Sequence, residues 1–122
     1  MKNLTLRERI FFGWICNEKR IYHHWYSRFL MAQVDIDRIR RVVARSRNWF
    51  HWLDEWSEEG KALDYKAENA LHRGNLITAR NLFHEAAGCY HVGQHFFYFD
   101  DLKKDIALHE VWRLYDRAIS LY

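Results

Sequence analysis
At 122 residues and 15.0 kDa the chain can bury one hydrophobic core but not two. Its net charge of +3 demands no polyanionic partner, and Cys16 and Cys89, far apart and in no C-x-x-C spacing, exclude a zinc ribbon or a disulfide framework. No stretch approaches the roughly 18 apolar residues of a membrane span, so composition points to a soluble, cytoplasmic chain with reduced thiols.

Aromatic residues make up 17% of the chain and proline is absent, which favours long uninterrupted helices that use their rings as packing bulk. From Leu4 to Met31, apolar residues such as Leu6, Ile10, Trp14, Ile21, Trp25 and Phe29 recur at helical spacing, a first helical region with a possible break near Gly13 or Asn17. Asp35 or Asp37 then offers an N-cap, and Ile36, Ile39, Val42 and Val43 make one apolar face opposite a basic one. Ser46 or Asn48 offers the next cap. Beyond it Trp49, Leu53 and Trp56 share a stripe that continues in phase through Gly60 to Leu63, Ala67, Ala70 and Leu71.

Gly74-Asn75 marks a turn, and the small residues Ala67, Ala70, Ala79, Ala86 and Ala87 flank it where two helices would touch. This predicts a closely packed helical hairpin. Gly88 and Gly93 cost on the order of 1 kcal/mol each inside the second helix, so close approach must favour them. The run from Phe96 to Phe99 is too short and isolated for a sheet. Asp100 or Asp101 caps a last helix, for which the predicted inward face is Ile106, Trp112 or Val111, Tyr115, Ala118 and Ile119. That helix is still in phase at Tyr122, which leads to the expectation of a longer natural polypeptide. The fold class expected is all-α, about five antiparallel helices in one domain over residues 1–122.

Gly74, Ala79, Phe83 and Ala86 stand at the spacing of the second half of a tetratricopeptide repeat. The pattern does not recur: Arg113 and Arg117 occupy the positions one period on, so a repeat array is not expected.

A longer pattern runs from Trp49 to Leu121. It joins Trp49, Trp56 and Gly60, then Ala67, Ala70 and Gly74, then Ala79, Phe83, Ala86, Ala87, Tyr90 and His91, then Asp100, Ala107, His109, Glu110, Tyr115 and Ala118. This resembles the N-terminal helical region of a branch of α/β-hydrolases that includes 2,6-dihydroxypseudooxynicotine hydrolase and fungal polyketide-shortening hydrolases. The resemblance implies a cap that covers a downstream catalytic α/β-hydrolase domain cleaving carbon-carbon or ester bonds of aromatic ketone-like substrates, with a homodimer as a further possibility. Ser27, Ser46, Ser57 and Ser120 are the only serines and none lies in G-x-S-x-G, so no catalytic residue is assigned within these 122 residues.

Other constellations have simpler readings. His84, His91 and His95 fall on one helical stripe and form a weak alternative metal site, against a leading expectation of no metal and no cofactor. Cys89 and His91 diverge by about 200° on a helix, so a thiol and base pair is not expected. The acidic residues near Asp54 and Asp100 read as caps and solvated faces. Arg38, Arg40, Arg41, Arg45 and Arg47 make a basic segment, taken as a solvated face and not a nucleic-acid interface. Trp49 and Trp56 are expected in the core, while Trp52, His91 and Phe96 are candidate pocket-lining residues for an apolar substrate. No membrane partner is expected. A freestanding helical interaction module, holding a peptide or a second copy in its hairpin groove, is the alternative to the cap.

Overall fold
The computed structural model describes residues 5–10, 31–46, 49–95, 97 and 99–122, with Trp49 described through its backbone alone. These residues form four long helices, α1 (Ile36–Arg45), α2 (Trp52–His72), α3 (Leu76–His95) and α4 (Asp101–Ile119). A 3-10 turn, Trp49–His51, leads into α2, residues 6–10 form a short helical turn, and no strand occurs among the described residues. The fold is all-α.

Residues 6–10 begin with a capping box: the Glu8 amide donates to Thr5 Oγ1 at 3.2 Å while the Thr5 amide donates to Glu8 Oε2 at 2.7 Å. The remainder of the expected first helical region, residues 11–30, lies outside the described residues. Asp35 caps α1 by accepting from the Arg38 amide, and Ile39, Val42 and Val43 form the buried face read from the sequence.

Ser46 does not start the next helix. Its hydroxyl and its amide both donate to the Val42 carbonyl, so it closes α1, and α2 begins without a side-chain cap after the 3-10 turn. A serine one turn past an apolar stripe serves either end of a helix, and sequence cannot separate the two.

The hairpin between α2 and α3 turns where expected. Gly74 adopts φ +78, and the Asn75 amide donates to the Ala70 carbonyl at 2.9 Å while the Gly74 amide donates to Leu71 at 3.0 Å. That double closure is a Schellman motif, which needs a left-handed residue at Gly74 and satisfies two carbonyls at the end of α2. On the two sides of the turn, Ala67 of α2 and Ala79, Ala86 and Ala87 of α3 are all completely buried. The helices approach so closely that a Cβ built on Gly93 would lie 2.7 Å from Trp56 Cβ, and one on Gly60 would lie 2.6 Å from the Tyr90 ring. Gly88 serves the other side of α3, where its missing Cβ makes room for the Ala32 carbonyl, placed there by a turn through Gln33 at φ 63.

The heaviest burial surrounds this crossing. Trp52 and Trp56 pack edge to face with centroids 5.7 Å apart, and Phe83, Phe97 and Phe99 are sealed with them. Each such side chain contributes on the order of 2–3 kcal/mol. Phe97 and Phe99 bridge α3 to α4 as packed rings, not as a strand; Phe96 and Tyr98 lie outside the described residues.

Asp100 caps α4 by accepting from the Lys103 amide at 3.1 Å. The inward face of α4 is Ala107, Val111, Leu114 and Ala118. Ala118 is inward as expected, and of the pair Trp112 or Val111 it is Val111 that turns inward; the sequence reading is corrected at Ile106 and Ile119, which are exposed, while Tyr115 sits at the boundary. A helix laid closely on α3 turns small residues inward, so Ala107 takes the place that hydropathy gives to its neighbour Ile106.

Candidate binding cleft on the α2–α4 seam
Three candidates for an apolar pocket came from the sequence. Trp52 is fully buried, and its indole N–H donates to the Val92 carbonyl at 3.3 Å. The α2 stripe is wider than a single ridge, so Trp52 and Trp56 enter the core together. His91 is exposed on α3, and Phe96 lies outside the described residues.

The histidine stripe is only partly brought together. His91 and His95 face each other one turn apart with ring centroids 5.9 Å apart, while His84 stands edge-on to Tyr115 at 5.1 Å. Among the described residues, no group of three His, Cys, Asp or Glu side chains gathers in a way that could hold a metal. Cys89 is fully buried. Burial pushes its thiol well above the usual range, against the opposing pull of Arg38, so it is an inert core thiol and not a nucleophile.

Much of the basic segment is committed to ion pairs. Arg38, half-buried between helices, donates Nε to Glu85 on α3 at 2.8 Å and Nη1 to Glu59 on α2. Arg45 joins Glu55 and Glu59, and Arg40 lies 3.7 Å from Asp37 within α1. Burial alone would raise the Glu59 carboxyl, but hydrogen bonds from Arg45 and Arg38 outweigh it and hold the group below its ordinary range. Arg41 is exposed, and Arg47 lies outside the described residues. The guanidinium groups of Arg38 and Arg45 therefore fasten α1 across α2 and α3 instead of facing a phosphate backbone.

A second set of charges lies where α2 and α4 run side by side in the same direction. Lys103 pairs with Asp54, Arg113 with Asp64 and Arg117 with Glu68, each across 49 residues of sequence. At about 100° per residue the acids at 54, 64 and 68 share one stripe of α2, and the bases share the facing stripe of α4. Constant offset makes the seam a ladder. Such pairs are half-exposed and contribute roughly 0.2–1 kcal/mol each, so they fix register more than they stabilise.

Between the Asp54 and Asp64 rungs the seam opens into a cleft of about 210 Å³. Leu53, Ile106 and Ala107 give it apolar walls, with Ser57, Lys61 and Glu110 at its rim. Its floor is Tyr90, which reaches from α3 across the Cα of Gly60 into the gap. Tyr90 is 6% exposed, and its hydroxyl makes no hydrogen bond among the described residues, yet it is not sealed from solvent. Burial, then the nearby Glu110 and Asp64 carboxylates, push the phenol up to about 12, so it stands protonated as a donor at neutral pH.

Sequence reasoning names Tyr90 only within the Trp49 to Leu121 pattern and not as part of a cleft. The signal was present in the matching charges at a constant offset of 49 between the two helices, legible only once α2 and α4 were known to be neighbours.

The residues that carry the hydrolase resemblance are largely accounted for by this packing. Trp56, Ala67, Ala79, Phe83, Ala86, Ala87, Ala107 and Ala118 are core, Gly60 makes room for the Tyr90 ring, Gly74 supplies the left-handed turn, and Asp100 is a cap. His91 and His109 are exposed. Among the described helices none is long and apolar enough to cross a membrane. Comparison with protein-family models, curated proteins and solved structures finds no match for this chain.

Proposed function
We propose that this chain is a non-catalytic helical module that works by packing against another polypeptide body through the outer flank of α4. One observation carries the reading. Leu108, Trp112, Tyr115 and Ile119 follow one another at steps of four, three and four, the spacing of a helix-packing seam, but nothing among the described residues covers them fully. Trp112 is 56% exposed and Ile119 61%, large apolar residues that water does not favour.

The resemblance over Trp49 to Leu121 supplies the occupant: the catalytic domain of an α/β-hydrolase acting on carbon-carbon or ester bonds of aromatic ketone-like substrates, in the cytoplasm. In that arrangement the helices shape and dry an apolar substrate cavity while the covered body supplies the nucleophile. Assayed alone against aryl esters, the chain is expected to give no turnover above buffer. Saturable hydrolysis by the purified chain would overturn the assignment.

The same seam spacing also suits a second copy, which favours a freestanding interaction module as the second reading. Equilibrium sedimentation separates them. A concentration-dependent dimer that Trp112→Glu abolishes supports the freestanding module, and a monomer at all concentrations supports the cap.

A further inference from the structure
The ladder between α2 and α4 has one rung that is not made. The offset of 49 that joins Asp54 to Lys103 and Asp64 to Arg113 also sets Lys61 opposite Glu110. Instead of pairing across the seam, Lys61 turns to Glu58 on its own helix at 3.3 Å, and Glu110 accepts from Arg113 Nε at 2.7 Å. Both rim the cleft that opens at this level. An ammonium on one wall and a carboxylate on the other thus stand over a neutral phenol that lacks a hydrogen-bond partner among the described residues.

From this geometry we infer that the cleft binds a small zwitterion, an α-amino acid with a short apolar side chain, which takes the place of the missing rung. Its carboxylate accepts from Tyr90 and from Lys61, and its ammonium donates to Glu110. Leu53, Ile106 and Ala107 cover its side chain. A volume of about 210 Å³ holds a molecule of that size and not a peptide. Four charged groups line the cleft and they balance, Asp54 and Glu110 against Lys61 and Lys103, so a dipolar ligand suits the site better than a net anion or cation. A phenol held well above neutral pH keeps its proton available for the carboxylate. Backbone shape builds the floor: only glycine at position 60 lets the Tyr90 ring lie against α2, since a Cβ there would overlap it. The inference does not depend on whether α4 covers a hydrolase, because the cleft and the outer apolar stripe lie on different sides of α4.

The test is a titration of the intact chain with L-leucine, followed by backbone amide shifts at Ser57, Lys61, Ile106 and Glu110. Two analogues accompany it: 4-methylpentanoate, which lacks the ammonium, and 3-methylbutylamine, which lacks the carboxylate. A saturable response near 1 mM, as an order of magnitude for so small a ligand, is expected for L-leucine, with each analogue weaker by about tenfold or more. Tyr90→Phe keeps the ring against Gly60 and removes only the hydroxyl, so it should fold unchanged and bind about tenfold more weakly. Lys61→Gln should act alike. Absence of a saturable response below about 20 mM, an analogue that binds as tightly as L-leucine, or a Tyr90→Phe variant of unchanged affinity would each overturn the proposal.

Discussion

Gly93→Ala separates two forces that point in opposite directions. Helix propensity alone favours alanine inside α3 by about 0.8–1.0 kcal/mol. Against this, the added Cβ would stand 2.7 Å from Trp56 Cβ and 3.1 Å from Leu53 Cδ1, where carbon atoms rest about 3.5–4.0 Å apart. Leu53 Cδ1 can rotate away, but Trp56 Cβ is one bond from the α2 backbone, so relief requires the helix axes to separate. Overpacking of this kind costs roughly 1–3 kcal/mol, and the rigid neighbour puts this site in the upper half of that range. The net expectation is a loss of about 1–2 kcal/mol, or a Tm lowered by about 3–8 °C for a domain of this size. Urea unfolding followed by tryptophan fluorescence reads it directly, with Asn81→Ala on the exposed side of α3 as the control for propensity. If Gly93→Ala were stabilised as much as Asn81→Ala, the close crossing of α2 and α3 would be wrong.

Replacing Arg38 by Met should cost on the order of 2–3 kcal/mol in a denaturant melt, because Glu59 and Glu85 would be left facing each other half-buried without their shared cation. Glu59 is held below its ordinary range in the folded chain, so its contribution is fully present above the unfolded carboxylate pKa near 4.3 and fades as pH falls through the lower folded value. Melts from pH 7 to pH 3 should therefore lose stability in the acid limb, and less so in Glu59→Gln. Arg113→Gln should cost under about 1 kcal/mol, and less still in 1 M salt, since its partners are half-exposed and screened. In a Cys16→Ser background, Cys89 should resist a thiol reagent at pH 8 until urea unfolds the chain; rapid labelling of the native protein would contradict its burial.

Where the sequence was legible, the signal was local and sterically strict. Gly74-Asn75 announced the hairpin because a Schellman closure needs a left-handed residue there, and the pairs Asp35 or Asp37 and Asp100 or Asp101 announced helix starts because free amides need an acceptor, Asp35 and Asp100 being the ones that cap. Gly93 was readable as a contact because glycine within a helix is costly without one. The face of α4 was readable at Val111 and Ala118 but not by bulk alone: Ile106 and Ile119 look inward by hydropathy, yet Ala107 and Leu114 complete that face where α4 packs on α3. Trp52 reads as a pocket-lining candidate from α2 alone, and its full burial depends on α3, where Val92 supplies an acceptor for its indole. The cleft was hidden for a different reason. Tyr90, Lys61 and Glu110 belong to three helices, and no window of one helix shows that they converge.

Native-state hydrogen exchange measures most directly whether the small-residue contacts join α2, α3 and α4 into one body. Amides near Leu63 and Ala67, near Phe83 and Ala86, and near Val111 and Leu114 should exchange only through global unfolding, with one shared free energy and one shared urea slope. Exchange of α4 through its own smaller opening, with the α2–α3 hairpin still protected, would contradict it.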